Sequence, residues 1–279
     1  MGSYRFVVCD VFTAEPLAGN QLAVFTDARA IPEEQLQRLA RETNFSETVF
    51  VFPPTGDGHV RARIFTPVKE VPFAGHPTLG TAFVLAGPLQ LDEIRIETGS
   101  GTVPVSLERE GARIVFGRMQ QPLPAIEPFA RADELQAVLG VTSRLPVELY
   151  DNGLPHVYVT FGSEAEVAAL QPDQQQLAAI GGVGVNCVAS SGLSWKSRMF
   201  APSFGVSEDP ATGSAAGPLA LHLARHGEIA FGDEIVVTQG VEIGRPSKLY
   251  ARVDGSADAV ERIEVGGSAV VVARGEFRF

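Results

Sequence analysis

The chain contains one pattern twice. Glu70-Val71-Pro72-Phe73-Ala74-Gly75-His76 and Glu208-Asp209-Pro210-Ala211-Thr212-Gly213-Ser214 both read Glu-x-Pro-x-x-Gly followed by a polar residue. The lead-ins match too, Arg63-Ile64-Phe65-Thr66-Pro67 against Arg198-Met199-Phe200-Ala201-Pro202. Each copy runs into a small, apolar, helix-like segment, Pro77 to Ala86 and Ala215 to Ala224. The copies fall in opposite halves of 279 residues, far beyond the roughly 20–50 residue period of solenoids. The pattern therefore implies two lobes built alike, each presenting a loop and a helix N-terminus. The copies differ where Val71 faces Asp209 and His76 faces Ser214. Packing alone has no need of that difference.

Turn residues and periodicity fill in the lobes. Residues 4–12 and 22–25 read as strands, and Pro32 with Glu33-Glu34 opens a helix to about Arg41, proline and acids suiting a first turn. Ser46 and Glu47 fall at a loop-to-strand junction, with strands expected over 48–52 and 60–65. The first motif's helix is expected from His76 to Leu85, and a meander follows at 94–98, 102–108 and 113–119. Gln120 to Pro128 carries three prolines and reads as a linker without regular structure. In the second half, helices are expected near 133–139, 164–170, 174–180 and 214–226. Strands are expected near 147–150, 156–161, 183–189, 194–200, 234–238, 248–253, 262–265, 269–273 and 275–279. The segments 78–86 and 215–223 are apolar nearly all round, as helices buried on most sides are. The expected fold is α+β: two pseudo-symmetric lobes, 1–119 and 120–268, each a curved, mostly antiparallel sheet or barrel around a central helix.

Composition narrows the function. The chain is 45% hydrophobic and 20% charged, with a net charge of −11, so a nucleic-acid partner is not expected. No apolar run reaches the roughly 18 residues of a membrane span, and no leader pattern is visible. Cys9 and Cys187 sit in strand-like apolar runs without a CxxC or a dense framework, which suits free thiols in a reducing compartment. The expectation is a cytoplasmic protein.

A glycine before a helix N-terminus lets a ligand approach free N–H groups at a positive dipole end. Gly75-His76 and Gly213-Ser214 offer two such ends, suited to a small carboxylate; plain capping by Thr212 or Ser214 is the other reading. Glu47, beside apolar residues, is a candidate base; the other reading is a solvated or salt-bridged strand-edge glutamate. His76 serves as acid, base or hydrogen-bond partner, or only satisfies a helix end. Asp209 is a candidate site residue or a turn residue before proline. His222 and His226 lie four apart on a helix, but no acid lies between them and no third ligand is evident, so no metal is expected. Gly181-Gly182-x-Gly184 lacks the dinucleotide spacing, and neither a GxSxG elbow nor a P-loop is present. Proton transfer on a small acid remains.

At Asp10-Val-Phe-Thr, Pro16-Leu-Ala-Gly-Asn20, Asn44-Phe-Ser-Glu47-Thr, Phe65-Thr-Pro, Phe73-Ala-Gly-His76-Pro-Thr-Leu-Gly80 and Glu208-Asp-Pro-Ala-Thr-Gly-Ser-Ala-Ala-Gly217 the chain resembles the PhzF-like family of the diaminopimelate-epimerase fold. Asn186-Cys187, Trp195 to Phe200, Ala216 to Gly227 and Gln239-Gly-Val-Glu-Ile-Gly-Arg-Pro-Ser247 are similar to its phenazine-pathway members. The resemblance implies isomerisation of trans-2,3-dihydro-3-hydroxyanthranilate to its aminoketone tautomer, a proton leaving C3 and returning at C1. It implies Glu47 as the base, His76 and Asp209 holding and polarising the substrate, and Asn20, Ser46, Gly75, Gly213 and Ser214 lining the pocket. It further implies no metal or organic cofactor, a homodimer, and a final strand, 269–279, that joins the first lobe. The alternatives are an isomerase or epimerase of another small acid, with Cys9 and Cys187 as the only candidate thiol pair, and a non-enzymatic small-molecule binding protein.

Overall fold

The computed structural model describes residues 2–279. The chain divides into two compact units, Met1–Gln120 with Gly266–Phe279, and Gln121–Val265. In the first, β1 (Ser3–Val11) leads through β2 (Asn20–Phe25), α1 (Glu33–Thr43), β3 (Glu47–Phe52), β4 (Val60–Phe65) and β5 (Glu70–Val71) to α2 (Gly75–Leu89). A meander of β6 (Glu93–Thr98), β7 (Gly101–Glu110) and β8 (Arg113–Gln120) follows. The β-branched run of β1 pairs antiparallel with β2 on one side and with the chain's last strand on the other. β2 then pairs parallel with β3, β3 antiparallel with β4, β4 antiparallel with β5, and β4 parallel with β6.

Helix α2 is buried almost from its first residue, as its uniformly apolar sequence requires. It packs so closely that a Cβ at Gly80 would stand 2.6 Å from Leu22 Cδ2 and 2.7 Å from Val11 Cγ2. It runs past the expected Leu85 to Leu89 with Pro88 in its last turn. A proline there loses one bond near a fraying end rather than breaking the middle of the helix. Amphipathic α1 buries Leu36, Leu39 and Ala40 against Phe25, Phe50 and Phe65. Phe25 stacks on Phe50 at 4.9 Å and Phe50 meets Phe65 edge-on at 5.4 Å, the offset and T-shaped geometries that ring quadrupoles favour.

The second unit runs β9 (Ala125–Pro128), α3 (Ala132–Leu139), β10 (Glu148–Asp151), β11 (Pro155–Thr160), α4 (Glu164–Ala168), α5 (Gln174–Ile180), β12 (Gly184–Ser191) and β13 (Ser194–Ala201). After β14 (Val206–Asp209) come α6 (Gly213–Arg225), β15 (Glu234–Gln239), β16 (Ser247–Gly255) and β17 (Val260–Gly267), whose last two residues belong to the first unit. Its pairing repeats the first unit's: β10–β11 antiparallel, β11–β12 parallel, β12–β13 and β13–β14 antiparallel, β13–β15 parallel, β15–β16 antiparallel. In both units one buried helix, α2 or α6, sits between the short motif strand and the strand that returns parallel to the sheet.

Two expectations need correction. The segment read as an irregular linker contains β9, paired antiparallel with β10. Its prolines thin the ladder without abolishing it, as edge pairing allows. The tail read as two strands is one, β18 (Ala269–Arg278), bonded along β1 with a register shift at Val8/Cys9. The strand runs unbroken through Arg274, and a Cβ at Gly275 would stand 2.5 Å from Phe6 Cζ; the glycine makes room for a ring within a continuous strand.

Candidate active site

Each motif begins with the same scaffold. Arg63 Nε and Nη2 donate to Glu70 Oε1 and Oε2 at 2.8 and 2.7 Å. Arg198 Nε and Nη2 donate to Glu208 Oε1 and Oε2 at 2.9 and 2.7 Å. The same guanidinium lies over the phenylalanine two residues on, 5.3 Å from the Phe65 ring centre and 5.1 Å from that of Phe200. The repeated Arg, Phe and Glu are thus one fork-on-carboxylate clamp closing the β4–β5 and β13–β14 hairpins, a geometry planar arginine favours. The chemistry-bearing positions hang from this common frame.

In the first unit, Asn20 opens β2, Glu47 opens β3 beside Leu22 in parallel register, and His76 is the second residue of α2. His76 Nδ1 lies 3.3 Å from Asn20 Nδ2 and 3.5 Å from Glu47 Oε2. The His76 side chain is 3% exposed and that of Glu47 13%. Burial drives the His76 pKa down to about 3, against a smaller opposing effect of the Gln21 backbone. At neutral pH His76 is therefore an uncharged imidazole beside the Glu47 side chain, with a single ring proton to place. Ser46 precedes Glu47, half-buried, and Gly75 is buried at the first position of α2. Ala74 caps α2 without a side-chain bond, so the N-cap residue itself takes none of the N–H groups of the first turn.

Sequence reasoning missed the support beneath Asn20. Buried Asp10 accepts from the Leu17 N–H at 2.7 Å, holding a loop in which Phe12 and Leu17 take φ of 63° and 67°. Such left-handed conformations in bulky residues cost energy and concentrate at functional sites. Asp10 stands in the quoted Asp10-Val-Phe-Thr segment, but nothing in its spacing betrayed the contact.

In the second unit, Asp209 ends β14, and Gly213 and Ser214 begin α6. The capping reading fails for both hydroxyls: Thr212 is the N-cap residue yet makes no side-chain cap bond. Its Oγ1 donates to Asp209 Oδ2 at 2.7 Å, and Ser214 Oγ meets His156 Nε2 at 2.9 Å. His156 is buried, its pKa pushed down to about 3 by desolvation, and its Nδ1 has no hydrogen-bond partner. A bare acceptor is cheaper to bury than a bare N–H. The ring proton therefore sits on Nε2 and is donated to Ser214, leaving the serine hydrogen free to point elsewhere. Gly184, level with His156 in the parallel ladder, has no room for a Cβ, which would stand 2.7 Å from Nδ1. His156, Thr212 and Gln239 were not singled out as site residues; only the fold brings β11 and β15 to the motif.

Neither thiol suits acid–base work. Cys9 and Cys187 are wholly buried and free, with desolvation raising both far above an ordinary thiol. The histidine pair of α6 does acquire a third group that the sequence did not reveal. Glu148 Oε2 lies 2.8 Å from His226 Nε2 and 3.4 Å from His222 Nδ1. That same oxygen also takes Arg225 Nη1 at 3.1 Å and the Tyr150 hydroxyl at 3.0 Å. A permanent cation at the shared oxygen makes this cluster an ion network tying α6 to β10 rather than a cation cage.

The family described as phenazine biosynthesis-like protein matches residues 9–275. The chain belongs to that family. A relative from Pseudomonas aeruginosa named trans-2,3-dihydro-3-hydroxyanthranilate isomerase is 51% identical over 98% of both chains. The crystal structure of a Bacillus anthracis phenazine biosynthesis protein of the PhzF family superposes with a TM-score of 0.85 at 26% identity, covering 100% of each chain. A probable proline racemase from Agrobacterium radiobacter K84 shares the fold at a TM-score of 0.67 and 13% identity, covering 98% of this chain and 92% of its own. The fold is thus the α+β architecture expected from the repeat, and the diaminopimelate-epimerase-like one that the resemblance implied.

Proposed function

We propose that this chain isomerises trans-2,3-dihydro-3-hydroxyanthranilate to its aminoketone tautomer, with Glu47 as the group that moves the proton. The activity rests on the full-length likeness to the P. aeruginosa isomerase. The residue assignment rests on one observation, the Glu47 carboxylate largely withdrawn from water beside a neutral, buried His76. Moving a proton from C3 to C1 shifts the diene and leaves an enol at C3, which tautomerises to the ketone; atoms and electrons balance within one molecule, so the step calls for no redox group. A carboxylate that takes the proton becomes the acid that returns it. The C3 proton is weakly acidic, which places a premium on position and on exclusion of water around the base. His76 and Asp209 hold and polarise the substrate. Asn20 orients His76, and Ser46, Gly75, Gly213 and Ser214 line the site, the uncapped helix ends offering N–H groups to the substrate carboxylate.

The reading includes a homodimer working in the cytoplasm on a small carboxylic acid, with neither nucleic acid nor membrane as a partner. Among the described residues no helix is long and apolar enough to cross a membrane.

The test follows ring-diene absorbance after mixing substrate with the wild type and with Glu47→Gln. The wild type consumes the diene; the variant loses about 10³-fold or more in kcat while KM stays within about tenfold, as for a group acting mainly on the transition state. Normal turnover by Glu47→Gln removes its role as base. No consumption by either protein moves the assignment to an isomerase of another small acid.

A further inference from the structure

The conspicuous stretch Gln239-Gly-Val-Glu-Ile-Gly-Arg-Pro-Ser247 has no part in the chemistry assigned above. Its first residue reaches the motif loop. Gln239 Nε2 donates to the Asp209 carbonyl at 2.7 Å and to Thr212 Oγ1 at 2.9 Å, and Gln239 Oε1 accepts from the Thr212 N–H at 3.2 Å. Thr212 Oγ1 in turn lies 2.7 Å from Asp209 Oδ2. Asp209, Thr212 and Gln239 are 4%, 6% and 2% exposed. Gly240 lies against the same loop with φ +76°, and a Cβ there would stand 2.6 Å from the Pro210 carbonyl oxygen. The glutamine side chain and the glycine backbone are therefore both moulded onto Asp209-Pro210.

The donor directions leave one solution. A backbone N–H only donates and a backbone carbonyl only accepts, which fixes the orientation of the Gln239 amide. The amide nitrogen then occupies a lone pair of the Thr212 hydroxyl, whose single hydrogen is left for Asp209 Oδ2. We propose that Gln239 and Thr212 are positioning residues for the reaction: Gln239 commits the Thr212 hydroxyl as a donor, and that donor holds the Asp209 carboxylate in its working orientation. The inference rests on the assignment of Asp209 to substrate binding. A hydroxyl bound to a carboxylate is among the stronger neutral-donor bonds, and in a dry site its loss is not made good by water.

The test measures kcat, KM, the substrate dissociation constant and Tm for Thr212→Val, Thr212→Ser and Gln239→Glu, and repeats Thr212→Val in an Asp209→Ala background. Thr212→Val is expected to lower kcat/KM about tenfold or more with the larger share in kcat, while Thr212→Ser, which keeps the hydroxyl, stays within about threefold. Gln239→Glu is expected to resemble Thr212→Val, since a carboxylate cannot donate to the Asp209 carbonyl and attracts the Thr212 hydrogen to itself. In the Asp209→Ala background Thr212→Val is expected to cost less than about twofold, because the partner it served is gone. An equal cost in both backgrounds, or a Thr212→Ser as damaged as Thr212→Val, makes the role structural and overturns the proposal. Full activity of Thr212→Val beside an impaired Asp209→Ala overturns the relay alone, whereas a fully active Asp209→Ala overturns the placing of Asp209 in the site. If melting shows that Thr212→Val does not fold, Gln239→Leu, which leaves the threonine in place, carries the same comparison.

Discussion

His76 and His156 are the clearest cases of single residues set by their surroundings. Both are buried among packed elements, and both have pKa values near 3 because desolvation opposes the charged ring. His222 is held near 4, first by the same burial and then by neighbouring His226. An unfolded histidine titrates near 6.5, so between about pH 6.5 and 3 the unfolded chain binds protons that the folded chain refuses. The stability these residues provide is complete above the unfolded value and is lost as the pH falls toward the folded ones. By pH 5 the two lowest cost about 2 kcal/mol each. Glu97 does not confuse the window: the Thr55, Gly56 and Gly58 N–H groups hold it at about 2, so its contribution persists until well below pH 5. Tm measured at pH 7 and pH 5 is therefore expected to fall by on the order of 10 °C. A flat profile contradicts the neutral, buried assignment on which the tautomers of the site depend. The sequence marked His76 as a candidate site residue, but the charge state of all three comes from burial, which no local pattern reports.

At the scale of elements, the repeated clamp is one geometry in two environments. The Arg198 and Glu208 side chains are 6% and 10% exposed, while those of Arg63 and Glu70 are 23% and 41% exposed. Arg198 also donates to the carbonyls of Val167, Ala168 and Leu170, binding the β13–β14 hairpin to the end of α4. Removing Glu208 leaves the buried guanidinium with only the carbonyls and a distant Glu242 carboxylate at 3.9 Å, and Glu208→Ala is expected to destabilise the protein by about 3 kcal/mol. Glu70→Ala removes a wetter pair whose arginine keeps Glu33, for about 0–1 kcal/mol. Urea melts of the two variants separate these outcomes, and equal losses contradict the account. The clamp was legible as a recurring Arg, Phe and Glu, since spacing is all that a hairpin clamp needs. Its unequal burial was not, because that depends on α4 covering one copy.

At the scale of the whole molecule the chain's last strand is the decisive element. β18 pairs along nearly all of β1 from Ser3↔Arg278 to Val11↔Ala269, and Phe277 joins the aromatic cluster of Phe6 and Phe25. Deleting residues 269–279 strips one ladder from β1 and uncovers that cluster. The expected result is a Tm lower by on the order of 10 °C or more, and unchanged melting contradicts the pairing. What the sequence determined by itself was whatever rides on local order. The duplicated motif, the all-apolar helices and the alternation of strands are carried by neighbours a few residues apart, and periodicity reports them directly. From them came the α+β fold, the repeat and the candidate residues. Only the tertiary structure decided which polar groups meet. Gln239 reaches Thr212 and Asp209, His156 reaches Ser214, Asp10 holds the loop before Asn20, and Glu148 joins the α6 histidines. Those partners lie on different strands and helices, brought together by sheet pairing and helix burial. A hydrogen bond depends on distance and direction in space, and neither is recorded in the order of residues along the chain.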